Sequence, residues 1–522
     1  MSMSMSAEPS HLDFLIPAVA VLLAGLILWY RFLPSQYQAP PGPKGIPIFR
    51  NEFQIPGDKQ WLKFHEWSRQ YGDIVQITTM GQKTVILSSA QAAFDLLEAK
   101  GNIYSDRPKA IMAGELVGWD RGLGYAHYGE RFREFRKMFH QTMGPRALHE
   151  IDPIQEAETA RFLLRLLENP ENFIEHARQS AGAAILMLAY GYSAKSEDDP
   201  LVKIAEEAML GFSRASEPGA YIVDRFSWLK YVPEWFPGVG FKIEARRMRE
   251  DLERLYNVPF DFVKSQMASG SFIPSFTSRY LLENKNLSDE QEQFVKAAAA
   301  SLYSGGADTT PSSITAFILA MTLNPEIQAR GQAEVDALLK MHRLPTHADR
   351  ESFPYVNAIV KEVLRWNPAV PLGLPHQLTQ DDHYRGFKLS KGTIVWANVW
   401  SILHDENMFP EPEVFRPERF LGDNANAMTD RITDPSVLAF GFGRRICPGM
   451  HLADNSIFLI VASMLAVFNI VKAKDAAGHV QEPEVEFRGF ISHPEPFHCV
   501  IRPRSDEAVA LIRRSSLCFT TC

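Results

Sequence analysis

The sequence predicts a mainly α-helical fold with small β-sheets, built as one large domain behind an apolar N-terminal helix. Three observations predict it. Long stretches of 3.6-residue periodicity dominate from about residue 128 to 340. Alternating, β-branched runs are few, short and placed toward the two ends. Beyond residue 51 no internal repeat, low-complexity tract or Gly/Ser-rich linker divides the 522 residues. A length prior of roughly 150 residues per domain would have allowed about three domains.

Residues 14–30, FLIPAVAVLLAGLILWY, carry no charge. As a helix they span roughly 25 Å, the short end of a bilayer crossing. Trp29 and Tyr30 suit an interface, Glu8 and Asp13 precede the segment, and Arg31, Lys44 and Arg50 follow it. The positive-inside rule then places residues 1–13 in the lumen and the long C-terminal part in the cytosol. A cleaved signal peptide is the competing reading, but a basic leading region and a small-residue cleavage site are missing. A single-pass transmembrane anchor is expected. Residues 31–51 read as a proline-rich linker: APPGPKGIPIFRN has four prolines and two glycines, which forbid a helix and favour a stiff, extended lead. The domain proper is expected over 52–508, and 509–522, ending in SSLCFTTC, as an untethered tail.

Within the domain, DIVQITTM (73–80), KTVILSS (83–89), GTIVWANVW (392–400) and FHCVIRP (497–503) read as strands. IQEAETARFLLRLLEN (154–169) and residues 240–268 read as helices. A longer helix starts at the capping box Ser288–Gln291 and runs to Asn324, where Pro325 stops it. It would be about 50 Å long, enough to cross the domain. Its middle, SGGADTTPSS (304–313), is poor helix sequence. Gly305 and Gly306 each cost about 1 kcal/mol against alanine, and Pro311 deprives the Ala307 carbonyl of its usual donor. A long helix weakened at one point fits a functional site, and two missing side chains let a bulky flat group approach the backbone. A plain break between two helices would use the same residues.

The net charge of −8 gives no general attraction to nucleic acid. The four cysteines, Cys447, Cys499, Cys518 and Cys522, form no disulfide framework, C-x-x-C pair or zinc pattern. One of them stands out. In FGFGRRICPGM (440–450), Cys447 follows Arg444 and Arg445, lies between turn-forming glycines and precedes a helical pattern. Positive charge and helix N-terminal N–H groups stabilise a thiolate, so such a residue is a ligand or a nucleophile. A nucleophile needs a base, and only His451 is near in sequence.

Phe440, Gly443, Arg445, Cys447 and Gly449 match in full F-x-x-G-x-R-x-C-x-G, the haem-binding loop of the cytochrome P450 monooxygenases, which the chain therefore resembles. Gly305–Thr310 matches that family's [A/G]-G-x-[D/E]-T-[T/S], KEVLR its Glu-x-x-Arg at Glu362 and Arg365, and FRPERF its downstream arginine at Arg419. Alone, Glu362 and Arg365 would read as a surface ion pair. The resemblance covers about residues 39–505, and YSDRP, PHQLTQDDHYRGF and the cysteine loop are most similar to members from mushroom-forming fungi.

The resemblance implies the P450 fold and haem b with Cys447 as its iron ligand. It implies propionate contacts from Arg445, His376 and Arg136, proton delivery by Asp308 and Thr309, and a structural Glu362–Arg365–Arg419 network. One departure is Phe132, where the family usually has a tryptophan whose N–H faces a propionate. Electrons would come from NADPH through a membrane-bound cytochrome P450 reductase, with cytochrome b5 as a second donor, since the chain has no nucleotide or flavin fingerprint. The endoplasmic reticulum membrane, with the catalytic domain cytosolic, is the implied location. Residues 111–119, Leu210 to Tyr221, Tyr303, 369–374 and 490–494 are expected around an apolar pocket for a lipophilic substrate of secondary metabolism. A terpenoid is the leading class, with a polyketide or indole compound as the alternative. An isomerase or dehydratase needing no oxygen is the other enzymatic reading, which the acid–alcohol pair Asp308–Thr309 disfavours.

Overall fold

The computed structural model describes residues 38–194, 199–284, 286–422 and 431–518, so the expected anchor at 14–30 lies outside the described residues. Helices make most of the domain, with one four-stranded and three two-stranded sheets among the described residues. Ile74–Thr79 and Gln82–Leu87 form an antiparallel hairpin whose turn residues, Met80 and Gly81, both have positive φ. Ile394–Ala397 pairs in parallel with the second strand, and His376–Gln377 closes the far edge. Near the C-terminus, Cys499–Pro503 pairs antiparallel with Phe468–Lys472. The expected strand at 392–400 is cut short because the Asn398 side chain accepts from the Ser401 N–H and starts the helix Val399–Leu403.

Two expected boundaries are corrected. The described part of the proline-rich linker is not a free spacer. The Gln76 N–H donates to the Pro41 carbonyl and the Asn51 N–H to the Thr78 carbonyl, both at 2.9 Å. A Cβ on Gly42 would lie 2.1 Å from the Gln76 carbonyl oxygen, so glycine permits this close approach. The tail is corrected as well. Asp506–Cys518 is a helix whose Ala508, Leu511 and Ile512 pack with Phe162 and Leu163 in one apolar cluster. These three positions lie on one helical face, a stripe too short to stand out in sequence.

The core places the site. The helix Met450–Val467 has Ile457 to Val467 all buried. Among the described residues it alone is long and apolar enough to cross a membrane, yet it runs through the domain core. Beside it lies the central helix. Ser288 caps it reciprocally with Gln291, and it runs Asp289–Ala307, then Thr309–Leu323. Only Asp308, at φ −120° and ψ −30°, leaves helical geometry. The interruption is thus one residue wide. The Thr309 hydroxyl donates to the Gly305 carbonyl at 2.8 Å across it.

Candidate active site

A cavity of about 360 Å³ opens between the interrupted central helix and the cysteine loop. Gly305, Gly306, Thr309 and Thr310 line one side, and Phe440, Cys447, Pro448 and Gly449 line the other. The two glycines divide their work. A Cβ on Gly305 would meet nothing within 4 Å, so its absence widens the cavity, whereas one on Gly306 would strike Ile185 at 2.7 Å and serves helix packing.

The cysteine loop is fixed by its backbone. The Cys447 N–H donates to the Phe440 carbonyl at 2.9 Å. Gly443 has φ +60°, and a Cβ there would lie 2.1 Å from the Leu97 carbonyl oxygen, so no other residue fits. Burial pushes the Cys447 thiol up, and the Gly449 N–H and the Arg136 guanidinium pull it back down. That corrects the expectation for Arg444 and Arg445. Arg444 turns outward and donates to the Tyr128 hydroxyl at 2.6 Å. Arg445 reaches the Ser105 and Ala126 carbonyls, each at 2.7 Å. The cation that the thiol feels comes from a distant helix, Glu130–Met143, where Arg136 Nη1 donates to the Ile446 carbonyl at 2.5 Å.

Arg136, His376 and Arg445 meet at one end of the cavity, joined by Arg107. Sequence reasoning missed Arg107, whose only signal was the DRP of YSDRP. It is buried, and its side chain donates to the Gly124, Leu374 and Pro375 carbonyls. Burial lowers the pKa of Arg107 well below the ordinary value, with Arg445 adding repulsion, and burial brings Arg445 to about 10. His376 is held neutral by burial and by Arg107, with Nδ1 2.7 Å from the Tyr104 carbonyl. Arg445 Nη1 is buried with no partner, and no carboxylate lines the cavity. Unpaired buried cations of this kind call for an anionic ligand. A flat group with carboxylates on one edge and a thiolate-seeking metal at its centre fits this arrangement, and haem is such a group. Phe132 takes a different part from the usual tryptophan: its ring lies under the Arg445 guanidinium, 3.9 Å away.

Glu362, Arg365 and Arg419 are brought together, and not at the surface. Glu362 and Arg365 are fully buried and Arg419 is nearly so. The Arg365 fork grips both Glu362 oxygens at 2.7 and 2.9 Å, and Arg419 Nε donates to Glu362 at 3.2 Å. Asp308 does not line the cavity; its carboxylate lies 3.0 Å from His493 Nε2 instead.

The distal lining departs from expectation by small rotations. Tyr303 is buried away from the cavity, its hydroxyl on the Leu201 carbonyl at 2.7 Å, and Leu302 lines the cavity in its place. Leu210 is exposed and Tyr221 bonds Glu244, while Met209 and Phe212 face inward. Of 111–119 only Trp119 reaches the cavity, and of 490–494 only Phe490 and Ile491 do.

The cytochrome P450 family model matches residues 40–500. Cytochrome P450 monooxygenase 208 of Postia placenta is 47% identical over 95% of this chain and 96% of its own length. Cytochrome P450 monooxygenase claR of Ampulloclitocybe clavipes is 43% identical over 95% and 92%. Tryptamine 4-monooxygenase of Psilocybe cyanescens is 38% identical over 94% and 98%. With a match of this extent, and a cavity shaped for a flat anionic group beside a buried thiol, the chain belongs to the cytochrome P450 family, as a monooxygenase that uses cysteine-ligated haem and NADPH-derived electrons.

Proposed function

We propose that this enzyme oxidises a neutral, lipophilic small molecule of secondary metabolism, with a hydrocarbon-rich terpenoid as the class that fits best. The observation that carries this reading is the cavity lining. Trp119, Leu123, Phe212, Leu302, Val370 and Phe490 make an apolar distal half, and the only full charges are the arginines at the thiol end. The Ser301 hydroxyl is taken by the Ala297 carbonyl and the Ser304 hydroxyl by the Ser301 carbonyl. A protonated amine would lose its hydration and find no carboxylate, which disfavours an indole amine.

In this reading Cys447 ligates the iron, and Arg107, Arg136, Arg445 and His376 hold the propionates. Bound there, haem supplies the redox chemistry by which one atom of O2 enters the substrate and the other leaves as water. The chain's own part is to orient and to move protons. Thr309 presents the hydroxyl nearest the helix interruption, parked on the Gly305 carbonyl at 2.8 Å, and holds a proton at Oγ1 for delivery into the cavity. Asp308, behind it, replaces that proton from the solvent side.

The uncharged apolar stretch at 14–30 and an exposed aromatic face support a membrane-bound enzyme of the endoplasmic reticulum, reduced by NADPH–cytochrome P450 reductase. Trp228, Tyr231 and Trp235 are 60–81% exposed. Arg225 ties their segment to Glu52 at 2.9 Å and Thr79 at 2.8 Å, beside the exposed Ile48 and Phe53. Such a face suits the lipid interface through which a lipophilic substrate arrives.

Reconstitution with reductase, NADPH and isotopically labelled O2 against neutral terpenoids, polyketides and indole amines tests the reading. One labelled oxygen in a neutral terpenoid, with a substrate-induced spin-state change, is the expected result. Turnover confined to protonated amines would overturn it.

A further inference from the structure

We propose that His493 is a positioning residue for proton delivery: from outside the cavity it holds the Asp308 carboxylate and recharges it with protons from solvent. This rests on the reading of Asp308 and Thr309 given above and extends it to a third group.

Three observations carry it. First, His493 Nε2 lies 3.0 Å from Asp308 Oδ1, and that nitrogen is buried with no well-aligned partner of its own. The side chain keeps 23% of its surface exposed, so part of it meets water while Nε2 faces the acid. A ring with one nitrogen on each side of that boundary can take a proton from solvent and give another to a carboxylate.

Second, the contact is built rather than incidental. Ser492, the residue before it, is fully buried and clamped to the central helix. Ser312 Oγ donates to its carbonyl at 2.5 Å, Asn367 Nδ2 donates to the same oxygen at 3.2 Å, and Ser492 Oγ donates back to Asn367 at 2.9 Å. Its N–H bonds the Ala369 carbonyl at 2.8 Å. His493 is therefore held against the one non-helical residue of the central helix. Third, Phe490 and Ile491 of the same segment line the cavity, so substrate contact and the acid's partner share a short stretch of chain.

The surrounding charges are few. Asp308 acts on Glu206 of the helix Pro200–Ser216, whose carboxyl is pushed up chiefly by burial, with Glu175 adding and Arg178 and Lys203 opposing. Across the short ladder from His493, Arg488 is engaged with Glu486 and Glu495. In the step itself, the N–H bond at Nε2 of the imidazolium breaks and an O–H bond forms on Asp308. That imidazolium forms when solvent protonates Nδ1 of the Nε2–H tautomer, a turn of the ring restores that tautomer afterwards, and Asp308 passes its proton to Thr309 Oγ1 as the hydroxyl releases its own into the cavity.

The test uses the full-length holoenzyme with reductase and NADPH and no organic substrate, and measures the share of consumed NADPH that appears as hydrogen peroxide. An imidazole that has lost its charge cannot supply the proton, so the peroxide share of the parent rises as the pH rises. His493→Gln keeps a side-chain amide at the site and cannot relay. It is expected to lose the pH dependence and to slow water formation about tenfold, at the lower edge of general-acid effects. The reduced carbon monoxide spectrum should stay unchanged. As a readout independent of turnover, the thermal midpoints of His493→Gln and Asp308→Asn should be non-additive in the double variant. A parent-like pH slope in His493→Gln would overturn the proposal while leaving Asp308 and Thr309 in place. If Asp308→Asn and Thr309→Ala also left the peroxide share alone, the relay on which it rests would fall too.

Discussion

Glu362→Gln tests the buried Glu362–Arg365–Arg419 network. Four hydrogen bonds converge on this carboxylate: two from Arg365 at 2.7 and 2.9 Å, one from Arg419 at 3.2 Å and one from the Arg416 N–H at 2.7 Å. The same arginines hold the Leu403, Pro410 and Val414 carbonyls, so the triad organises the backbone of the 403–414 stretch. Glutamine keeps one acceptor but turns an NH2 toward a guanidinium and leaves two buried cations without an anion. Breaking a buried pair in this way costs about 3–5 kcal/mol. With 522 residues and an unfolding entropy of about 2.1 cal/mol/K per residue, the midpoint should fall by about 3–5 °C. The assay is loss of the thiolate-type carbon monoxide complex on heating, at one fixed scan rate because unfolding of a chain this large is kinetically controlled. The exposed pair Arg246–Glu234 is the control, and Glu234→Gln should produce no measurable shift. A Glu362→Gln midpoint indistinguishable from that control would refute the reasoning.

Further outcomes follow from single contacts. Gly443→Ala forces a side chain onto the Leu97 carbonyl at φ +60°, so haem-loaded yield should collapse; Gly478→Asn, at φ +86° with nothing within 4 Å of the added Cβ and away from the cavity lining, should load normally. Phe132→Leu removes the ring beneath Arg445, worth about 0.5–2 kcal/mol, and haem dissociation measured by transfer to apomyoglobin should accelerate. Thr309→Ala should leave the carbon monoxide spectrum intact and divert electrons into hydrogen peroxide; equal coupling in variant and parent would remove Thr309 from proton delivery. Burial, with Asp58 adding, pushes the Glu217 carboxyl up to about 7. A raised carboxyl pKa means the folded state binds the extra proton, so its stabilisation is full below the ordinary value of 4.5 and gone above about 7. Relative to Glu217→Gln, the parent's thermal midpoint should therefore decline between those two values and run parallel outside them.

The cysteine loop and the defect in the central helix were legible because each is a short, fixed spacing that backbone geometry enforces. The loop around Cys447 needs Gly443 at positive φ, and the central helix needs a defect beside a hydroxyl. What sequence could not supply was helical phase. One residue is a rotation of 100°, which is why Leu302 rather than Tyr303, and Met209 and Phe212 rather than Leu210, line the cavity. Long-range electrostatics were equally hidden. The cation felt by the thiol is Arg136, some three hundred residues upstream, and not the adjacent Arg444 and Arg445. Arg107 and His493 each carry their meaning only through partners distant in sequence: the Leu374 and Pro375 carbonyls in one case, Asp308 in the other. The C-terminal helix was missed because its three buried apolar residues make too short a stripe to distinguish from a tail.

The account depends most on sulfur ligation at position 447. The decisive measurement is the absorption spectrum of the reduced carbon monoxide complex of the purified full-length protein and of Cys447→Ser. The parent should show the thiolate-type band and the variant should lack it. A histidine-type band in the parent, or a thiolate-type band surviving in Cys447→Ser, would contradict the central claim.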